Sequence, residues 1–158
     1  MIESAINFSA LGQIFIALIL GACLGTERSL AHKTAGTRTY ALVTMGSSLF
    51  IIISRLVIPA SNLYNFDPMR MAAGVVMGIG FLCGGVIVFQ DSRLTGLTTA
   101  AGLWVAAGIG MAVGFGYVWL AILATLLTLF AFTILWFIEN KIATSSKTGY
   151  HGRDAELS

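Results

Sequence analysis

The sequence is poor in charge, and its charged residues are absent from long stretches of the chain. Only 10% of the residues are Asp, Glu, Lys or Arg, whereas 57% are hydrophobic, and the mean hydropathy is +0.88. A soluble domain carries about 25% charged residues. Residues 4–26, 39–54, 71–89 and 94–138 contain no charge. These properties indicate an integral membrane protein, because about 20 apolar residues suffice to cross a bilayer.

The last uncharged run is too long for one span. At ~1.5 Å per residue it would make a helix about twice as long as the ~30 Å hydrocarbon core, so it must fold back, and we place the turn at Gly114–Tyr117. The sequence predicts an all-α integral membrane protein, a compact bundle of five transmembrane helices within residues 1–138. The predicted spans are about 6–25, 39–58, 69–89, 97–114 and 118–138. Residues 139–158 are polar, and we expect a disordered tail.

The spans also lack the residues that catalysis or metal binding needs. No histidine or lysine lies within a span to act as a base for Ser47 or Ser48, and no span contains an aspartate pair. Cys23 and Cys83 lie in different spans and are interpreted as packing residues. The glycine clusters lack the context of a nucleotide-binding loop. We therefore expect no enzymatic activity, no cofactor, no metal site and no nucleic-acid partner.

Basic residues favour one side of the predicted bundle. The first and third loops and the tail hold most of them, whereas the opposite side has only Arg55 and Arg70. Because basic loops remain in the cytoplasm, we expect the N-terminus outside and the C-terminus in the cytoplasm. Residues 1–13 contain no basic residue, so no cleavable signal peptide is predicted.

Glycines dominate the middle of the chain, with eleven between Asp67 and Gly116. In a membrane, small residues let helices approach closely. Spacings of four place several of them on common helix faces. We predict that the third and fourth helices pack through these faces, against each other or against a neighbouring copy, and a homodimer could use Gly21 and Gly25. The predicted helix-packing residues are Gly74, Gly78, Gly80, Gly84, Gly102, Gly110 and Gly114.

Charged residues stand at the ends of the spans. Glu27 lies near the C-terminal end of the first helix, where the helix dipole disfavours a carboxylate. Arg28 is adjacent but should point elsewhere on the helix, so Arg38 is the expected partner, unless Glu27 is simply solvated. Asp67 precedes Pro68 and is expected to cap the third helix. Arg70 follows three residues later, and we expect it to form an ion pair with Asp67.

The start of the fourth span is also polar. Thr98 and Thr99 are expected to cap this helix. Trp104 lies further inside and could belong to an interfacial aromatic belt or anchor packing.

Five motifs in order resemble the MgtC/SapB family of bacterial inner-membrane proteins. They are GxxxGxER from Gly21, AGTRT from Ala35, DPMR-x-AA from Asp67, GIGFLxGGVI from Gly78 and GLTTAAGLWVAAGIG from Gly96. The resemblance implies an inner-membrane protein linked to growth in low magnesium, acid stress and virulence, with the F-type ATP synthase as one reported target. The resemblance implies that the functional candidates are the residues at the family's motif positions. In this sequence they are Glu27, Arg28, Gly36, Arg38, Thr39, Asp67, Arg70, Gly78, Gly80, Thr98, Thr99 and Trp104.

Two functions remain open at this stage. The resemblance and the small-residue helix faces favour a regulatory protein that binds other membrane proteins, in contact with membrane lipid. The alternative is a magnesium transporter or channel subunit. Carboxylates inside the membrane usually mark a cation path, and here the span centres contain none. Magnesium also requires near-octahedral oxygen ligands, so transport would require a pore between subunits.

Overall fold

The computed structural model describes residues 2–61, 67–90, 93–135, 137–138 and 141. Five helices each contain a stretch long and apolar enough to cross a membrane, which confirms the predicted transmembrane bundle. Of the predicted tail, only residue 141 lies within the described residues. The elements are α1 (Ile2–Leu30), α2 (Thr37–Ser61), α3 (Pro68–Val86), β1 (Val88–Gln90), β2 (Arg93–Thr95), α4 (Leu97–Gly114), α5 (Val118–Phe130) and a π-helical turn (Ala131–Leu135) that continues α5.

The predicted fold-back separates α4 from α5. Gly116 has a φ of 93°, a conformation that costs glycine little. The Gly116 amide donates to the Val113 carbonyl at 2.9 Å, and the Tyr117 amide donates to the Ala112 carbonyl at 2.8 Å. These two bonds form a Schellman motif, which satisfies the last carbonyls of α4. The long uncharged run therefore folds as two spans.

A short antiparallel hairpin connects α3 to α4 where the sequence predicts only a loop. The third span was expected to continue to residue 89, but α3 ends at Val86 and β1 takes up Val88–Gln90. In the hairpin, Val88 pairs with Thr95 and Phe89 pairs with Leu94. Two glycines in the last turn of α3 and the β-branched residues that follow favour this change from helix to strand.

Helix α4 lies at the centre of the bundle. It packs against all four other helices, and 56% of its span is buried, compared with 11% of the α3 span. Its buried face includes the predicted ridge of Gly102, Ala106, Gly110 and Gly114. The core of the molecule therefore lies along α4.

The α4 ridge packs against α2, and not against α3 as predicted. A Cβ atom added to Gly114 would lie 2.7 Å from the Ser48 carbonyl oxygen, and one added to Gly110 would overlap the Thr44 carbonyl oxygen. On α2, the Thr44 hydroxyl folds back to donate to the Tyr40 carbonyl at 2.9 Å. A short side chain on α2 that hydrogen-bonds to its own helix thus leaves room for the α4 backbone.

No other part of the described chain packs on the glycines of α3, and this overturns the prediction that they pack within the chain. Among the described residues, no atom outside the local helix backbone lies within 4 Å of a Cβ position added to any of them. Instead, α3 meets α4 through other residues, among them Cys83, whose thiol donates to the Ala100 carbonyl at 3.2 Å. The glycines of this helix with open space at the Cβ position are Gly74, Gly78, Gly80, Gly84 and Gly85.

The pair Gly21 and Gly25 is not available for a dimer. A Cβ atom on Gly21 would lie 2.6 Å from the Tyr40 carbonyl oxygen, and one on Gly25 would lie 2.5 Å from the Thr37 Cα. Both glycines are buried where α1 packs on α2. The contact between α1 and α2 of the same chain occupies this face. The prediction that a homodimer could use it is therefore wrong.

Gly110→Ala should reduce the free energy of unfolding by about 1–3 kcal/mol, since the added methyl group overpacks the α2–α4 contact. Gly78→Ala is the matched control, because its new Cβ meets no atom within 4 Å. Its higher helix propensity should leave stability unchanged or raise it by up to about 1 kcal/mol. Reversible unfolding in mixed micelles measures both, and equal losses for the two variants would refute the packing assigned to Gly110.

Candidate functional site

One end of the bundle collects most of the positive charge. Here the α1–α2 loop, the β hairpin and the end of α5 come together, and we call this the basic end. Among the described residues its cations are Arg28, Lys33, Arg38, Arg93 and Lys141, whereas the opposite end has Arg55 and Arg70. The basic residues that the sequence predicts on one side of the membrane therefore lie at one end of the folded bundle.

A buried ion pair lies at the basic end. The Arg28 side chain is only 3% exposed, and its Nη2 donates to Glu27 Oε1 at 2.6 Å. Its Nε donates to the other Glu27 oxygen, so the contact is bidentate. Such pairing fixes the orientation of the guanidinium as well as its charge. Burial makes each partner depend on the other, because an unpaired charge in this place would be costly.

The predicted partner of Glu27 was Arg38, and that prediction is wrong. Arg38 is exposed in the first turn of α2, and the adjacent Arg28 takes the carboxylate. Neighbouring residues on a helix point about 100° apart, yet both side chains are long enough to curl towards each other. The last turn of α1 also favours a cation through the helix dipole. Arg28 thus compensates a carboxylate that the same dipole disfavours.

An aromatic ring covers the other side of Arg28. The guanidinium carbon lies 3.7 Å from the centroid of the Phe132 ring, which is a cation–π contact. Phe132 belongs to the π-helical turn after α5 and is almost completely buried. Turns of this kind redirect side chains within a helix and are frequent at functional sites. Sequence analysis missed Phe132, and no local pattern distinguishes it from the other phenylalanines.

Tyr40 connects α2 to α4. Its side chain is fully buried, and its hydroxyl donates to the Thr99 carbonyl at 3.2 Å. Gly102 makes this arrangement possible: an added Cβ would overlap the Tyr40 hydroxyl and lie 2.6 Å from Phe132 Cζ. Sequence analysis also missed Tyr40, although a tyrosine in an apolar span needs a hydrogen-bond partner and could have been noticed for that reason.

The chain leaves α1 in a conformation that places Lys33 beside the pair. His32 has a left-handed φ of 54°, the Lys33 amide donates to the Arg28 carbonyl at 3.0 Å, and the His32 amide donates to the Ser29 carbonyl at 3.1 Å. This is again a Schellman motif, with histidine in the position that glycine usually takes. The motif ties the backbone of Lys33 directly to that of Arg28.

Two threonines at the start of α4 do not have the capping role that the sequence predicts. The N-cap of α4 is Gly96, at a φ of 86°, and no side chain caps the helix, so capping by Thr98 or Thr99 is wrong. The Thr99 side chain is buried, and its carbonyl accepts the bond from Tyr40. Thr98 is exposed and lines a slot between α4 and α5.

The remaining predicted residues lie apart from this cluster. Asp67 caps α3 as expected, since its Oδ1 accepts from the Met69 amide at 2.9 Å. Arg70 is exposed, and within the described part of the chain it forms no ion pair with Asp67. Thr39 is exposed near the start of α2, and Trp104 is 55% exposed on the outer face of α4.

The opposite end of the bundle has a polar contact between helices that sequence analysis missed. Arg55 Nη1 donates to the Gly114 carbonyl at 2.8 Å, which ties the end of α2 to the end of α4. A cation at this position also complements the C-terminal end of the α4 dipole.

Among the described residues, no group of three or more His, Cys, Asp or Glu side chains could hold a metal ion.

Glu27→Gln should destabilise the fold by about 3 kcal/mol, because Arg28 would keep its charge in a buried position without a carboxylate. Replacing both residues, as in E27Q/R28M, should recover much of that loss, since the buried charge is then gone as well. The free energy of unfolding in micelles measures this double-mutant cycle. Arg38→Gln serves as the control and should change stability by less than about 0.5 kcal/mol; additive losses in the cycle would contradict the pairing.

Three relatives are similar to part of this chain. The uncharacterized protein slr0014 of Synechocystis is 43% identical over 89 residues, which is 56% of this chain and 36% of that protein. YhiD of Escherichia coli K12 is 40% identical over 93 residues, or 56% of this chain and 43% of YhiD. MgtC of Salmonella typhimurium LT2 is 41% identical over 101 residues, or 64% of this chain and 41% of MgtC.

The chain spans less than half the length of these curated relatives. No solved structure matches it. The family model described as the MgtC family matches residues 14–141, which include α2, α3, α4, α5 and the Glu27–Arg28 pair. With five membrane-spanning helices and a match over most of its length, the chain is a multi-pass membrane protein of the MgtC family.

Proposed function

We propose that this protein is a non-enzymatic regulator of magnesium homeostasis in the bacterial inner membrane, and that it acts by binding another membrane protein. The N-terminus lies outside and the C-terminus in the cytoplasm, because the basic end then faces inward. The relatives support the link to magnesium: YhiD is described as a candidate magnesium transporter, and another relative is the Salmonella protein MgtC. Adaptation to low magnesium and acid stress, and a role in virulence, are part of the same proposal.

One observation carries the binding role, namely the open groove between α2 and α3. Its volume is about 460 Å³, and glycines line both walls, with Gly46 on α2 and Gly74 and Gly78 on α3. Apolar side chains such as Phe50 and Leu82 form its rims. Within a membrane, exposed glycine faces are where a helix of another protein can approach closely. The F-type ATP synthase is a candidate partner, and a second copy of this chain is another.

Transport is the competing function, and the charges of the described residues argue against it. Glu27 is bound to Arg28 at one end of the bundle, and Asp67 caps α3 at the other. A path for magnesium through one chain would need oxygen ligands near the membrane centre. The polar groups buried there are hydroxyls such as Thr44 and Ser48, which carry no charge.

Gly78→Leu should abolish growth in low magnesium when the variant replaces the wild-type protein in its host. The new Cβ meets no atom within 4 Å, and the rest of the side chain extends into the open groove, so the fold should remain intact. Gly12→Leu is the matched control, because that glycine is equally open but lies on α1, far from the groove. Unfolding in micelles checks that both variants fold, and normal growth with Gly78→Leu would refute the groove as the binding face.

Magnesium flux into liposomes separates the two functions. Purified wild-type protein should admit no magnesium above the background of empty vesicles. A flux that depends on the protein, and that survives Gly78→Leu, would establish transport and overturn the regulatory proposal.

A further inference from the structure

A slot opens between α4 and α5 at the basic end. Its volume is about 440 Å³, which lies within the usual range of about 300–1,000 Å³ for small-molecule sites. Ala101 and Val105 of α4 form one wall, and Leu127 of α5 and Leu135 of the π-helical turn form the other. Leu127 and Leu135 are 60% and 49% exposed, so the slot opens towards the lipid. Its walls are therefore suited to an apolar chain.

The end of the slot is polar and positively charged. Arg28, Lys33 and Thr98 all line it. Glu27 neutralises Arg28, so Lys33 supplies a net charge of +1, and no carboxylate is among the described residues that line the slot. The first turn of α4 adds its dipole and amide groups, which favour a bound anion. These features together select a negatively charged group.

The polar end is also rigid. Glu27 holds the Arg28 guanidinium on one side and Phe132 covers it on the other. The Schellman motif after α1 fixes the Lys33 backbone beside it. An ordinary helix surface offers a lipid no guanidinium that is held on two sides in this way. Preorganised groups bind at a lower cost in conformational entropy.

From these contacts we infer that the slot binds an anionic glycerophospholipid. One acyl chain lies along Ala101, Val105 and Leu127, and the phosphate lies against Lys33, Thr98 and the remaining Arg28 donors. A soluble anion would leave the apolar slot unfilled, whereas a phospholipid matches both ends. A phosphatidylglycerol headgroup keeps its full negative charge, while choline would bring a second cation next to Lys33.

Native mass spectrometry of the full chain, released from detergent, tests the site. The protein should bind phosphatidylglycerol about five-fold more tightly than phosphatidylcholine with identical acyl chains, the ratio expected for one lysine near an anionic headgroup. Lys33→Gln should remove this preference. Arg93→Gln is the matched control, because it removes an exposed cation at the same end outside the slot. Equal binding of the two lipids, or equal effects of the two variants, would overturn the assignment.

Two further measurements locate the bound molecule. Ala101→Phe fills the slot from an exposed position and should weaken binding of phosphatidylglycerol at least as much as Lys33→Gln. Unchanged binding by this variant would show that the lipid lies elsewhere and would overturn the proposal. Inorganic phosphate in large molar excess should not displace the lipid. Displacement would assign the polar end to a free anion and would refute the lipid.

Discussion

The whole bundle depends on how closely α2 and α4 approach each other. Their contact is between backbones, since Gly110 and Gly114 lie directly against carbonyl oxygens of α2. Burying apolar side chains gains little between helices in lipid, so close packing and hydrogen bonds must supply the stability. Once α4 is seated on α2, the Arg55–Gly114 bond closes one end and the Tyr40–Thr99 bond closes the other. The remaining helices are arranged around this central pair.

Features that depend on local chemistry could be predicted from the sequence. Uncharged runs of sufficient length predict the five spans, because a bilayer excludes unpaired charge and unsatisfied backbone. The turn at Gly116 and the cap at Asp67 involve only a few neighbouring residues. Both follow from the conformational preferences of single residue types, so no knowledge of the tertiary contacts is needed.

Features that depend on which faces meet could not be predicted. A spacing of four shows that glycines share a face, but not which neighbouring helix, if any, packs on that face. Gly102, Gly110 and Gly114 of α4 are buried against other helices, whereas the glycines of α3 have open space at their Cβ positions. Likewise, helix geometry argues against a pair between Glu27 and Arg28, and the Phe132 ring that covers Arg28 comes from more than a hundred residues away in the sequence. The candidate site combines α1, α2, α4 and the end of α5, which no single motif reveals.

The π-helical turn after α5 has a consequence for whatever follows it. Such a turn holds one residue more than an α-helical turn, and each residue of an α-helix rotates the chain by about 100°. The extra residue in Ala131–Leu135 therefore changes the angular phase of the helix at the turn in which Phe132 is buried. Deleting a single residue here would turn the helical residues 137–138 by that angle relative to α5. The turn that places the aromatic ring in the core thus also sets the angular phase of these two residues.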